Sequence, residues 1–421
     1  MLGLTRWALV RRRLILCSLL AALGLASPLV AAGASADDSV PRPNHDPFYR
    51  YDGAKPLSKI APGTPLATRD VTLAITQNGT PLPAEQILYR TTDATGKAVP
   101  SVTTVILPAS GTTNPRLVAY LSFYDALSNK CSPSYTMRGG EPGAANHELT
   151  DIEQGLEQTA HAQGFIVTVP DFEDESLDYV AGTESGMSSL DGIRATIAAL
   201  KLDTATPVGL IGYSGGSIAA DWASELQPTY APKVNLVGTA MGGIPVNLRH
   251  NLKYVNGSPS WSDVIPAAMI GISRSYHIDL TPYLSKWGRK VVATESHQCI
   301  GEFSGEFPNL TIQHLVKDRY QSIDAVPAFR RITNQLRMGS VAGHPSDPFY
   351  MAWGNQDGTG DGVMVAKDQA ALAAEYCKNG LAVTSEEFPG LDHNNAAVMF
   401  FSQAFPWLTS RFAGAPAPST C

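Results

Sequence analysis

Ser214 stands in Gly212-Tyr213-Ser214-Gly215-Gly216, between the apolar run Val208-Gly209-Leu210-Ile211 and the helical stretch Ser217-Ile218-Ala219-Ala220-Asp221-Trp222-Ala223. A serine on a sharp strand-to-helix turn projects its hydroxyl above the sheet, where it can attack a carbonyl carbon. Glycines two residues to either side let strand and helix pass closely. The N–H groups that open the helix face the place where an oxyanion would form, and Gly215, next after the serine, supplies one of them. The hydroxyl is a poor nucleophile until a histidine takes its proton, and that histidine needs a carboxylate to fix its tautomer.

Strand, Gly-x-Ser-x-Gly turn and helix form the nucleophile elbow of an α/β-hydrolase, in which the chain order is serine, acid, histidine. The partners belong on loops after the last two sheet strands. His393, in Gly390-Leu391-Asp392-His393, follows the strand expected at 381–388. His344 precedes its strand and would sit at the wrong end of the sheet. For the acid, the loop after Trp353 offers Asp357 and Asp361, and order alone does not choose between them.

The elements that must position these groups can be read from hydrophobic periodicity. Strands are expected at 70–75, 86–92, 101–107, 116–123, 164–171, 234–240, 348–354 and 381–388, with helices at 150–163, 187–200, 366–377 and 396–412. Leu190, Ile193, Ile197 and Leu200 mark one helix by their spacing. Alternation of strands and helices implies an α/β fold with a mostly parallel central sheet and helices on both faces. Between 246 and 338 the alternation stops, and Tyr254, Trp261, Ile270, Tyr283 and Trp287 are scattered through helical and loop-like sequence. So long a strandless stretch between two sheet strands reads as an inserted, mainly helical cap. The expected organisation is a leader at 1–36, core at 37–245, cap at 246–338 and core again at 339–421.

The leader has a positive start at Arg6 and Arg11-Arg12-Arg13, an apolar stretch at 14–30 and a small-residue cleavage site at Ala34-Ser35-Ala36. That is the pattern of a cleaved signal peptide, and it implies secretion. Loss of its four arginines takes the formal charge from −7 to −11. An acidic chain without basic runs gives no reason to expect a nucleic-acid partner. The remainder of the composition, 44% hydrophobic and 16% charged, is that of a globular protein with a sizeable core. Export places Cys131, Cys299, Cys377 and Cys421 in an oxidising compartment, where four cysteines admit three disulfide pairings. By position, Cys131–Cys299 would tie the cap to the core and Cys377–Cys421 would pin the tail. No Cys-x-x-Cys or His-cluster spacing points to a metal.

The chain resembles the secretory lipase family. The marks are Asp46-Pro47-Phe48-Tyr49, Ala61-Pro62-Gly63-Thr64, Tyr120-Leu121-Ser122-Phe123-Tyr124-Asp125, Cys131-Ser132-Pro133-Ser134-Tyr135, Leu190-Asp191-Gly192-Ile193-Arg194-Ala195, the elbow, and Asp361-Gly362-Val363-Met364-Val365. The resemblance favours Asp361 as the acid, with Asp357 as the alternative. It also places the second oxyanion N–H at Asp125. The activity implied is hydrolysis of carboxylic esters, most of all acylglycerols, at a lipid–water interface, with no cofactor and no stable protein partner. The alternatives are an esterase or acyltransferase on non-lipid esters, or an inactive secreted binding protein of the same fold.

Overall fold

The computed structural model describes residues 40–77, 80–108, 113–140, 144–341 and 344–421. The expected leader lies outside the described residues. Nine strands form one sheet: β1 (Pro65–Gln77), β2 (Thr80–Thr92), β3 (Ala98–Ile106), β4 (Leu117–Leu121), β5 (Ile166–Pro170), β6 (Pro207–Tyr213), β7 (Asn235–Gly242), β8 (Phe349–Asn355) and β9 (Val383–Pro389). Their order in space is β1-β2-β3-β5-β4-β6-β7-β8-β9. From β5 to β9 all neighbours are parallel, while β1, β2 and β3 form an antiparallel edge.

Parallel strands covered on both faces need unbroken apolar runs. β4 and β5 are buried at every position. Their side chains alternate: Leu117, Ala119 and Leu121 enter one apolar cluster, and Val118 and Tyr120 enter the other. The first cluster also receives α2 (Gly182–Ala199) and α3 (Gly215–Tyr230) through Leu190, Ile193, Ile218 and Trp222. The second receives α1 (Ala144–Ala162) through Ala160.

Between β7 and β8 the described residues contain α4 (Leu248–Tyr254), α5 (Val264–Ser275), α6 (Lys286–Glu295), α7 (Pro327–Gln335) and short helical turns, and no sheet strand. Ile270, Val291, Phe303 and Phe329 of this stretch join the cluster of α2 and α3. After β8 come α8 (Ala366–Lys378), whose Leu372 and Tyr376 pack on that same face, and α9 (His393–Phe412), whose Phe400, Phe401 and Phe405 cover the opposite one.

Three helices begin earlier than periodicity indicates, α1 at Ala144 and not 150, and α2 and α9 as follows. α2 starts at Gly182, five residues before the expected start, because its first turns are packed by smallness. A Cβ on Gly186 would come within 2.6 Å of the Trp222 carbonyl carbon on α3. α9 starts at His393, not 396, because Asp392 caps it by accepting the Asn395 N–H at 2.8 Å. The disulfides join Cys131 to Cys299 and Cys377 to Cys421. Among the described residues no helix is long and apolar enough to cross a membrane.

Candidate active site

Ser214 lies between β6 and α3 with φ 53° and ψ −122°, a conformation costly for any residue with a side chain. The two flanking glycines make the turn fit. A Cβ on Gly212 would lie 2.3 Å from the Gly216 carbonyl oxygen, and one on Gly216 would lie 2.0 Å from that of Leu121. The Ser214 N–H donates to the Gly242 carbonyl at 2.9 Å, which locks the turn to β7.

The His393 ring bridges two groups. Nε2 lies 2.8 Å from Ser214 Oγ, and Nδ1 lies 2.8 Å from Asp361 Oδ2. As the first residue of α9, His393 also has its backbone held: its N–H donates to the Asp361 carbonyl at 2.9 Å, and its own carbonyl accepts from the Tyr213 hydroxyl at 2.6 Å. The ring lies 5.0 Å from that of Tyr213 and stands nearly perpendicular to that of Trp261, 5.6 Å between centroids. Only 4% of the residue is exposed.

Asp361 is 1% exposed and fixed by its own neighbours. Its Oδ1 accepts the N–H groups of Val363 at 2.9 Å and Met364 at 2.6 Å, while Oδ2 faces the ring. Val363, Met364 and Val365 are buried, so the loop is anchored in the core. Asp357 is exposed and does not touch His393. Its Oδ1 accepts from Thr359 and Gly360 N–H, and its Oδ2 accepts from the Tyr254 hydroxyl at 2.9 Å. Tyr254 in turn accepts the Gly362 N–H at 3.1 Å, so Asp357 steadies the Asp361 loop through Tyr254. The His344 ring pairs with Asn379 at the end of α8.

Asp125 follows β4 and abuts the elbow. Its φ is 36°, and burial, followed by the Glu153 charge, pushes its carboxyl well above the usual carboxylate range. The backbone around it is held from two directions. Glu153 on α1 accepts from Phe123 N–H at 2.9 Å and Ser122 hydroxyl at 2.8 Å, and Glu173 accepts from Ala126 N–H at 2.8 Å. Sequence reading missed both glutamates. Glu153 sits in a helix rich in acids, where one more acid reads as a solvated face. Among the described residues the N–H groups of Asp125 and Gly215 donate to no protein acceptor.

A cleft opens beside these groups, lined by Ser214, Gly215, Asp125 and Ile218 from the sheet side. Leu248, Leu252, Trp261 and Val264, from the helical stretch after β7, close the other side with apolar surface. The arrangement can draw a proton from a hydroxyl, hold the resulting cation with a buried carboxylate and receive an oxyanion on two N–H groups.

Sheet order, elbow and helices on both faces make this an α/β-hydrolase fold. The chain belongs to the secretory lipase family, whose model matches residues 142–420. Candida antarctica lipase A in its closed state is structurally similar, with a TM-score of 0.81, 26% identity, and coverage of 92% of this chain and 91% of that one. Secreted triacylglycerol lipase LIP3 of Malassezia globosa is 30% identical over 408 residues, 92% of this chain and 85% of the relative. A probable inactive lipase of Mycobacterium tuberculosis is 31% identical over 387 residues, 89% of this chain and 83% of the relative.

Proposed function

We propose that this chain is an exported serine hydrolase that cleaves carboxylic esters, triacylglycerols foremost, through Ser214, His393, Asp361 and an acyl-enzyme. The observation that carries this reading is the His393 ring, 2.8 Å from Ser214 Oγ on one side and 2.8 Å from Asp361 Oδ2 on the other. Asp361 accepts from Nδ1–H, which leaves Nε2 as the base. Nε2 takes the serine proton as Oγ attacks the ester carbonyl. The N–H groups of Asp125 and Gly215 receive the oxyanion. Collapse of the tetrahedral intermediate expels the alcohol, protonated by His393. Water, activated by the same ring, then releases the acid.

In this reading residues 246–338 are a cap whose apolar inner surface receives the acyl chain, and 37–245 and 339–421 are the core. Residues 1–36 are the cleaved leader, which fits the secreted relatives.

A second reading, a scaffold without turnover, is favoured by the relative described as a probable inactive lipase. One experiment separates the two. A fluorophosphonate probe should label Ser214, and p-nitrophenyl esters from acetate to palmitate, beside a triglyceride emulsion, should be hydrolysed. Ser214→Ala should abolish both, because nucleophile and base act as a unit. No labelling and no hydrolysis in a folded protein would favour the inactive scaffold.

A further inference from the structure

The loop from β5 into α2 brings together three acids that the proposed chemistry does not use. Asp174, Asp178 and Glu184 are 4%, 2% and 0% exposed. One oxygen of each lies within 4.8 Å of one oxygen of each of the others. The protein satisfies part of the set. Asp174 Oδ1 accepts the Ser176 N–H at 2.5 Å, and Glu184 Oε2 accepts the Ala94 N–H at 3.0 Å and the Ser275 hydroxyl at 3.4 Å. That leaves Asp174 Oδ2, Asp178 Oδ1 and Glu184 Oε1 buried with no N–H or hydroxyl donor, Glu184 lying within hydrogen-bond reach of both aspartates.

Among the described residues no cation pairs with any of the three. Arg274 on α5 acts on Asp178 through its charge, but its donors are engaged by the carbonyls of Leu127, Leu177 and Ser296. Asp93, in the β2–β3 turn, adds a fourth negative charge felt by Asp174. Three carboxylates this close and this far from water need either shared protons or a cation. The donors are all hard oxygens, contributed by an irregular loop and a helix start, which suits the flexible coordination of calcium and not the strict octahedron of magnesium.

We propose that Asp174, Asp178 and Glu184 form a calcium site. The ion ties the β5–α2 loop to the β2–β3 turn through Ala94 and to α5 through Ser275. Its effect reaches the candidate active site, since the same loop carries Glu173, which holds the Ala126 N–H, and Tyr179 and Val180, which line the cavity. The loop contains three non-glycine residues in the left-handed region, Asp174, Leu177 and Val180 with φ 47°, 58° and 64°. A bound cation offsets part of that strain.

The test uses the whole protein, stripped with a chelator, dialysed and titrated with calcium chloride alone. Calorimetry should show a single calcium per chain, and saturation should raise Tm by about 5 °C. Magnesium chloride should give little of either. Glu184→Gln and Asp178→Asn keep side-chain size and should fold, by circular dichroism, but lose the calcium-dependent rise. Asp174→Asn replaces either one that does not fold. No binding heat and no Tm change up to about 10⁻³ M calcium, the upper end of the range for extracellular sites, would mark the cluster as proton-sharing and overturn the proposal. A calcium response that persists in the folded variants would place the ion elsewhere and overturn it too.

Discussion

The Asp125 carboxyl occupies the space that a side chain on residue 215 would need: a Cβ added to Gly215 would lie 1.6 Å from Asp125 Oδ1. Asp125 is 2% exposed, so its carboxyl cannot swing aside without moving the backbone that carries the proposed oxyanion N–H. Gly215→Ala should therefore fold and lower kcat/KM by about 10²–10³-fold, the loss associated with a disturbed oxyanion donor. Gly155→Ala, at a site with nothing within 4 Å of the new methyl, should leave kcat/KM unchanged. Equal kinetics in the two variants would remove residues 125 and 215 from the oxyanion hole.

Sequence reading picked out Ser214, Asp361 and His393, which the fold brings together, because their main constraints are local. Gly212 and Gly216 mark the close passage of strand and helix, and unbroken apolar runs mark β4, β5 and β6. What it missed is non-local. Nothing near Glu153, Glu173 or Asp171 says that each is buried, because the groups they bind lie about thirty to fifty residues away, on other elements. The early start of α2 escaped notice for the opposite reason: glycines that pack against Trp222 carry no apolar period. His393 was read as a loop residue because Gly390 draws attention, whereas Asp392 already caps the helix.

The acid assignment can be settled by two single variants. Asp361→Asn should reduce kcat by about 10⁴, because an amide there favours the wrong imidazole tautomer. Asp357→Asn should change it little, because Asp357 acts only through Tyr254. The reverse ranking would move the acid role to Asp357.

Stability should fall as pH rises from acid to neutral. Burial pushes Glu153 from 4.5 to about 7, against the hydrogen bonds from Ser122, Phe123 and Tyr120, and burial raises Asp171 from 3.8 to about 7. Both groups hold a proton in the folded protein that the unfolded chain releases near pH 4. Their contribution is complete below that value and is lost as pH climbs through about 7. Thermal scans should show a higher Tm at acid than at neutral pH. Glu153→Gln, neutral at every pH, should flatten the decline, and an unchanged slope would exclude Glu153 as its source.

The two disulfides should differ in weight. Cys131–Cys299 spans a separation of 168 residues and Cys377–Cys421 one of 44. In the chain-entropy model the longer closure stabilises by about 1 kcal/mol more. Replacing both members of the first pair with serine should lower Tm further than replacing the second pair. It should also reduce activity, because Cys131 follows the Asp125 segment and Ala126 bridges to Cys299. Equal Tm losses would show that native-state effects outweigh loop size.

The proposed cap makes a claim about substrate length. Leu248, Leu252, Trp261 and Val264 face the cavity with apolar side chains, and the Trp261 ring also packs nearly perpendicular to the His393 ring. If this stretch opens to admit a long acyl chain, opening exposes apolar area that a lipid surface or detergent micelle can cover. An emulsion should therefore raise turnover of p-nitrophenyl palmitate far more than that of the acetate, whose acyl group is short. Trp261→Ala should narrow that difference by loosening the closed arrangement in water. Equal stimulation of both esters would leave residues 246–338 with no part in recognising the lipid chain.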